Sequence, residues 1–342
     1  MFRRIEARQL VHILIIFMLV QFGGLLVSSL VFTTTPLTLA VGSAVNTPME
    51  AIWFFIYIIV TAIIILLVFR IYHGEALFVL MEAFVVIASS FFVFIVVISY
   101  LVPNAGVNFV YAIALLAAVA MIIAKNKRKS LTNFVAIIAS IGVGLILGLD
   151  FSFGIAYLLV ALIAIYDYVA VFVTKHMIML AKALSSKNLA FLVSTSDIEV
   201  MPKNYLNKKE AKEYAQYKKE IAKINSPVIR KLIKSGKLPL VSQVQLGAGD
   251  LGIPLMLAIS SYKIFFSYFT SLFVIIGGIF GLAFTMHLLK KYMVPLPAIP
   301  PLFSFMSIFI GVYFIPIELQ FSALFIGLGI VMLLLLLSKL RR

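Results

Sequence analysis

Uninterrupted apolar runs, many of them eighteen residues or longer, recur from one end of the 342-residue chain to the other. Each is long enough to cross a hydrocarbon core of about 30 Å as a helix. In lipid, backbone polar groups find partners only within the protein, so helices and closed barrels are the structures available to such a chain. Continuous runs rather than short alternating segments select helices. With 63% hydrophobic and 12% charged residues, a soluble globular domain is excluded. The reading is an all-α polytopic membrane protein.

Ten apolar segments can be drawn, at about 9–32, 51–69, 76–101, 107–124, 131–149, 151–173, 238–262, 265–289, 294–315 and 321–337. The first follows Arg3, Arg4 and Arg8 and is longer than the apolar region of a cleaved signal peptide, so it is kept as a span. Residues 174–238 break the pattern and hold 14 of the 28 Lys and Arg. Within them 188–193 could form a short strand or lie on the membrane surface. Residues 207–225 read as an exposed charged helix with Lys209 and Glu213 one turn apart. This stretch is a cytoplasmic loop, too short for a second catalytic domain. The organisation is then a five-span bundle over 1–150, span six over 151–173, the loop over 174–238, spans seven to nine over 239–315, and a further C-terminal span over 316–342.

Charge placement sets the orientation. With the N-terminus inside, the inner ends carry Arg70, Lys125, Lys127, Arg128, Lys129, the loop, Lys290, Lys291, Lys339, Arg341 and Arg342, while Lys263 is the lone basic residue on the outer side. That is the bias expected of cytoplasmic loops, and it accounts for the net charge of +15 without invoking nucleic acid. Cysteine is absent, which excludes disulfides and thiol catalysis. His12, His73, His176 and His287 are too scattered for metal-ligand spacing, so neither a metal nor a cofactor is expected.

Of the thirteen acidic residues, only Glu82, Asp167 and Asp250 fall within apolar segments. Glu82 lies near the inner end of its segment, where a long side chain can snorkel to the interface. Asp167 lies eight residues before Lys175, and Asp250 nine residues after Val241. Treated as helical on both sides, each is about 12–14 Å from the inner end. Sequential segments usually neighbour each other, so the two carboxylates are expected to face at one level. Two such groups cannot both ionise easily and share a proton. One can then activate water while the other donates to a carbonyl. The same pair could relay protons or hold a cation in a channel or transporter.

Gly247 and Gly249, beside Asp250, permit close approach of another backbone, or simply tight helix packing. Pro295, Pro297, Pro300 and Pro301 leave unpaired backbone at the inner end, which membrane proteins tolerate where it is buried in protein or lines a wet cavity. A prepilin-type peptidase also uses an aspartate in GxGD, but normally with Lys two residues later, where this chain has Gly252.

Tyr166-Asp167 in segment six, Gly247-Ala248-Gly249-Asp250 in segment seven and Pro297-Ala298-Ile299-Pro300 opening segment nine resemble the YD, GxGD and PAL motifs of the presenilin and signal peptide peptidase family of intramembrane aspartyl proteases. The resemblance covers about 151–315, and YDYVAVFVTKHM at 166–177 looks like archaeal members. It implies a nine-span bundle, here with a tenth C-terminal span, and an aspartic endopeptidase that cuts inside transmembrane segments of other membrane proteins within the bilayer. It implies Asp167 and Asp250 as the catalytic pair, with substrate-binding roles for Tyr166, Gly247, Ala248, Gly249, Pro297, Ala298, Ile299 and Pro300. A homo-oligomer is compatible with it. The third motif reads PAI rather than PAL. Gly252-Ile253-Pro254 is closer to the signal peptide peptidases, whereas the charge bias gives the presenilin orientation, with the active site in the cytoplasmic half of a prokaryotic cell membrane.

Overall fold

The computed structural model describes residues 7–33, 47–71, 76–174, 192–201, 238–265, 267–292 and 296–340. The charged helix expected at 207–225, most of the expected loop and Pro295 lie outside them. Two compact units are distinguished, Met1–Ile13 with Ser194–Gln245, and Leu14–Val193 with Leu246–Arg342. The first holds most of a two-stranded sheet formed by β1 (Leu192–Met201) and β2 (Leu238–Gly247).

The elements of the second unit are helices: α1 (Ala7–Thr33, from its third turn onward), α2 (Pro48–Ile71), α3 (Ala76–Leu101), α4 (Val107–Lys127), α5 (Thr132–Asp150), α6 (Phe153–Phe172), α7 (Ala248–Phe265), α8 (Tyr268–Tyr292), α9 (Ile299–Phe314) and α10 (Leu319–Leu340). Seven of the described helices are long and apolar enough to cross a membrane: α1, α3, α4, α5, α6, α8 and α10. The chain is a multi-pass integral membrane protein. The helix α9, at 16 residues, is shorter.

Small residues bring the helices together. A Cβ on Gly142 would lie 2.1 Å from the Ser89 carbonyl oxygen, so α3 and α5 touch along their backbones. Gly144 and Gly148 of α5 give room to Leu255 and Ile259 of α7. Gly277 and Gly281 of α8 lie against the Met306 and Leu302 backbone of α9, and Gly329 of α10 against Ser304. Without a hydrophobic driving force between helices in lipid, such close approach supplies the packing energy. The arrangement sets α6 against both α7 and α9.

The apolar segment expected from 238 or 241 to 262 is two elements, not one. Residues 238–247 are strand, and α7 begins only at Ala248. Val244 and Leu246 are buried while Gln245 between them is less so, a two-residue alternation that fits a strand better than a helix. Asp250 is therefore the third residue of its helix, and the helical rise assumed from Val241 does not apply. Glu82 does not snorkel. It forms an ion pair with Lys125 across α3 and α4, with side chains 2% and 5% exposed. Lys263, isolated in the sequence, donates to the Leu149 carbonyl at the C-terminal end of α5.

Candidate active site

Asp167 is carried by α6, five residues from its end, and Asp250 by the first turn of α7. Both are half-buried, and each lies within electrostatic reach of the other. One carboxylate sits near a helix C-terminus, the other at a helix N-terminus that follows a strand.

Local chemistry orients each group. Gly247 immediately precedes α7, and its N–H donates to the Asp250 carboxylate three residues on. This is one half of a capping box, in which the side chain of the third helical residue reaches back to the cap N–H. A Cβ at position 247 would lie 3.2 Å from Asp250 Oδ2, so glycine lets the carboxylate fold over the cap. Gly249 differs, since a Cβ there meets nothing within 4 Å. It is exposed and leaves the backbone beside Asp250 open.

The Asp167 carboxylate accepts the Ile299 N–H at 3.3 Å and is also bonded by the Ala298 N–H. Both donors stand at the start of α9, where the first N–H groups of a helix lack intrahelical partners. Pro300 and Pro301 occupy positions where a missing N–H costs nothing. Pro297, Ala298, Ile299 and Pro300 are all buried. Tyr166 is half-buried and meets Phe55 of α2 edge-on, with ring centroids 6.4 Å apart.

The ten residues expected from the sequence therefore fall on three adjoining places: Tyr166 and Asp167 on α6, residues 247–250 at the start of α7, and residues 297–300 at the start of α9. Sequence reasoning passed over two further residues at this site. Gln21 of α1 donates to the Leu251 carbonyl and Ser140 of α5 to that of Ala248. An amide in the middle of an apolar span was the available signal.

The family model described as signal-peptide peptidase, presenilin aspartyl protease matches residues 14–317. A solved structure of a presenilin family intramembrane aspartate protease in space group C222 superposes with TM-score 0.55 at 16% identity, covering 89% of this chain and 96% of that one. A second such structure, in space group P2, gives TM-score 0.54 at 17% identity, covering 93% and 96%. No curated protein matches the chain. The fold is that of the presenilin structures, and a match over so much of its length means that the chain belongs to the signal-peptide peptidase and presenilin aspartyl protease family.

Proposed function

We propose that Asp167 and Asp250 are the catalytic pair of this intramembrane aspartyl protease, as a GxGD-type endopeptidase acting on transmembrane segments of other membrane proteins. The observation that carries the reading is the meeting of three backbone-held groups: the α6 carboxylate, the α7 carboxylate, and the N–H groups of Ala298 and Ile299. An aspartyl protease needs two carboxylates sharing a proton and a substrate carbonyl held between them. A channel or transporter would not call for the third group.

The reaction runs without a covalent intermediate. The ionised carboxylate takes a proton from water as the water oxygen bonds to the peptide carbonyl carbon, and the protonated partner gives its proton to the carbonyl oxygen. The tetrahedral diol then collapses. Its C–N bond breaks, the amide nitrogen takes a proton from the dyad, and a carboxyl and an amine separate. A helical substrate must first unwind to expose a carbonyl. Its extended segment then pairs with backbone near 238–246 or 297–300, the strand-addition mode of peptide binding. The open backbone at Gly249 and the buried 297–300 stretch support substrate-binding roles for Tyr166, Gly247, Ala248, Gly249, Pro297, Ala298, Ile299 and Pro300. Charge placement supports a cytoplasmic N-terminus and a site in the cytoplasmic half of the bilayer.

Product mapping tests this reading. A tagged single-span substrate incubated in 18O-water should yield fragments cut inside its apolar segment, with one heavy oxygen in the new carboxyl group. Cuts confined to the flanking polar sequence would contradict it.

A further inference from the structure

The first turn of α7 is poorly equipped to hold itself. Gly247 precedes it, Gly249 lies within it and Gly252 follows. Pro254, inside the helix, has no N–H to return to the carbonyl of Asp250. Two side chains from distant parts of the sequence tether the turn from outside, at the carbonyls on either side of Asp250. Gln21 Nε2 donates to the Leu251 carbonyl at 2.9 Å across 230 positions of sequence. Ser140 Oγ lies 3.3 Å from the Ala248 carbonyl while also bonded to Ala136 in its own helix at 2.7 Å. The two accepted carbonyls bracket Asp250, one two residues before it and one just after.

Packing alone does not account for Gln21. The side chain is fully buried, and its Oε1 has no hydrogen-bond partner among the described residues. A buried, unpartnered amide oxygen is a cost that Leu or Met would avoid. What the amide provides in exchange is the Nε2 donor. The neighbouring glycines keep that donor in range. A Cβ on Gly24 would fall 2.3 Å from Leu255 Cδ2, so a side chain there would force Leu255 of α7 to shift. Gly252 likewise lies against the Ser140 carbonyl, where a Cβ would be 3.3 Å away.

We propose that Gln21 and Ser140 are positioning residues that fix the first turn of α7 and so hold Asp250 opposite Asp167. The inference rests on the catalytic assignment of Asp250. It deepens that assignment by naming what keeps a glycine- and proline-rich turn in one place.

The test uses the full chain purified in detergent with a single-span substrate. Gln21→Met is near-isosteric and lacks the donor, and Ser140→Ala removes the second one. Phe17→Leu, on the same buried stripe of α1, trims packing without touching the turn. The expected result is a fall in kcat of between about tenfold and a hundredfold for Gln21→Met, the loss typical of a misplaced reacting group. KM should stay within about twofold and the thermal unfolding midpoint should match that of Phe17→Leu, which keeps its kcat. Ser140→Ala should show the same pattern with a smaller fall. Unchanged kcat in both variants, or a fall shared by Phe17→Leu at equal stability, overturns the proposal. Asp250→Ala, measured alongside, separates the two levels. If it is inactive while Gln21→Met is fully active, only the positioning role fails. If it is active, the assignment of Asp250 fails first.

Discussion

Gly247 and Gly249, two residues apart in one motif, meet different surroundings. Position 247 is closed by the Asp250 carboxylate, whereas position 249 faces open space. Gly247→Ala should therefore shift the carboxylate on its cap by a few tenths of an ångström and lower kcat severalfold. Gly249→Ala should disturb only what approaches from outside, raising KM with little change in kcat. Steady-state kinetics on both variants checks the split, and identical behaviour would count against it. Glu82 and Lys125 give a second residue-scale prediction. Removing one partner of a buried pair strands the other charge, at a cost of about 3–5 kcal/mol. Glu82→Gln should lower the thermal unfolding midpoint clearly, while Glu82→Met combined with Lys125→Met should recover most of the loss. Both acids of the candidate pair were legible in the sequence because carboxylates are rare in apolar segments. The partner of Glu82 was not, since Lys125 also looks like an ordinary charge at the inner end of a span.

At the scale of elements, apolar runs marked each of the described helices, and apart from the start of α7 their bounds fall within a few residues of those observed. The error was at 238–247, where Leu238, Leu240, Val241, Val244 and Leu246 read as the start of a span. A short apolar run does not by itself distinguish strand from helix, and the deciding signal is the buried alternation at Val244 and Leu246. The consequence is functional, because the strand ends at Gly247 and delivers Asp250 to a helix N-terminus rather than to mid-helix. The α8–α9 contact carries the prediction at this scale. A Cβ on Gly281 would lie 2.7 Å from Leu302 Cα and 2.8 Å from the Pro301 carbonyl oxygen, both backbone atoms that cannot swing aside. Gly281→Ala should cost about 1–3 kcal/mol, the usual range for overpacking. Because α9 begins at Ile299, activity should fall with it, as thermal unfolding and cleavage measured on one preparation would show. The helix α10 lies beyond the residues matched by the family, yet it packs against α9 and α6. Phe325 meets Tyr157 of α6 at 4.8 Å between ring centroids, and Tyr157 in turn bonds Ser307 of α9 at 2.5 Å.

For the whole molecule, orientation is the property that charge placement alone proposes. The chain contains no cysteine, so single introduced cysteines report without background. A membrane-impermeant thiol reagent should label Asn104→Cys in intact cells and Asn126→Cys only after permeabilisation, as both side chains are exposed at opposite ends of α4. The reverse pattern would place the active site on the outer side. Two carboxylates, delivered by different helices, are proposed to form one site. The most direct measurement is cleavage of a single-span substrate by the purified protein, with Asp167→Ala and Asp250→Ala beside the wild type at equal amounts of folded protein. The wild type should cut within the apolar segment, and either substitution alone should remove activity to background. Residual wild-type-like cleavage in either variant would contradict it.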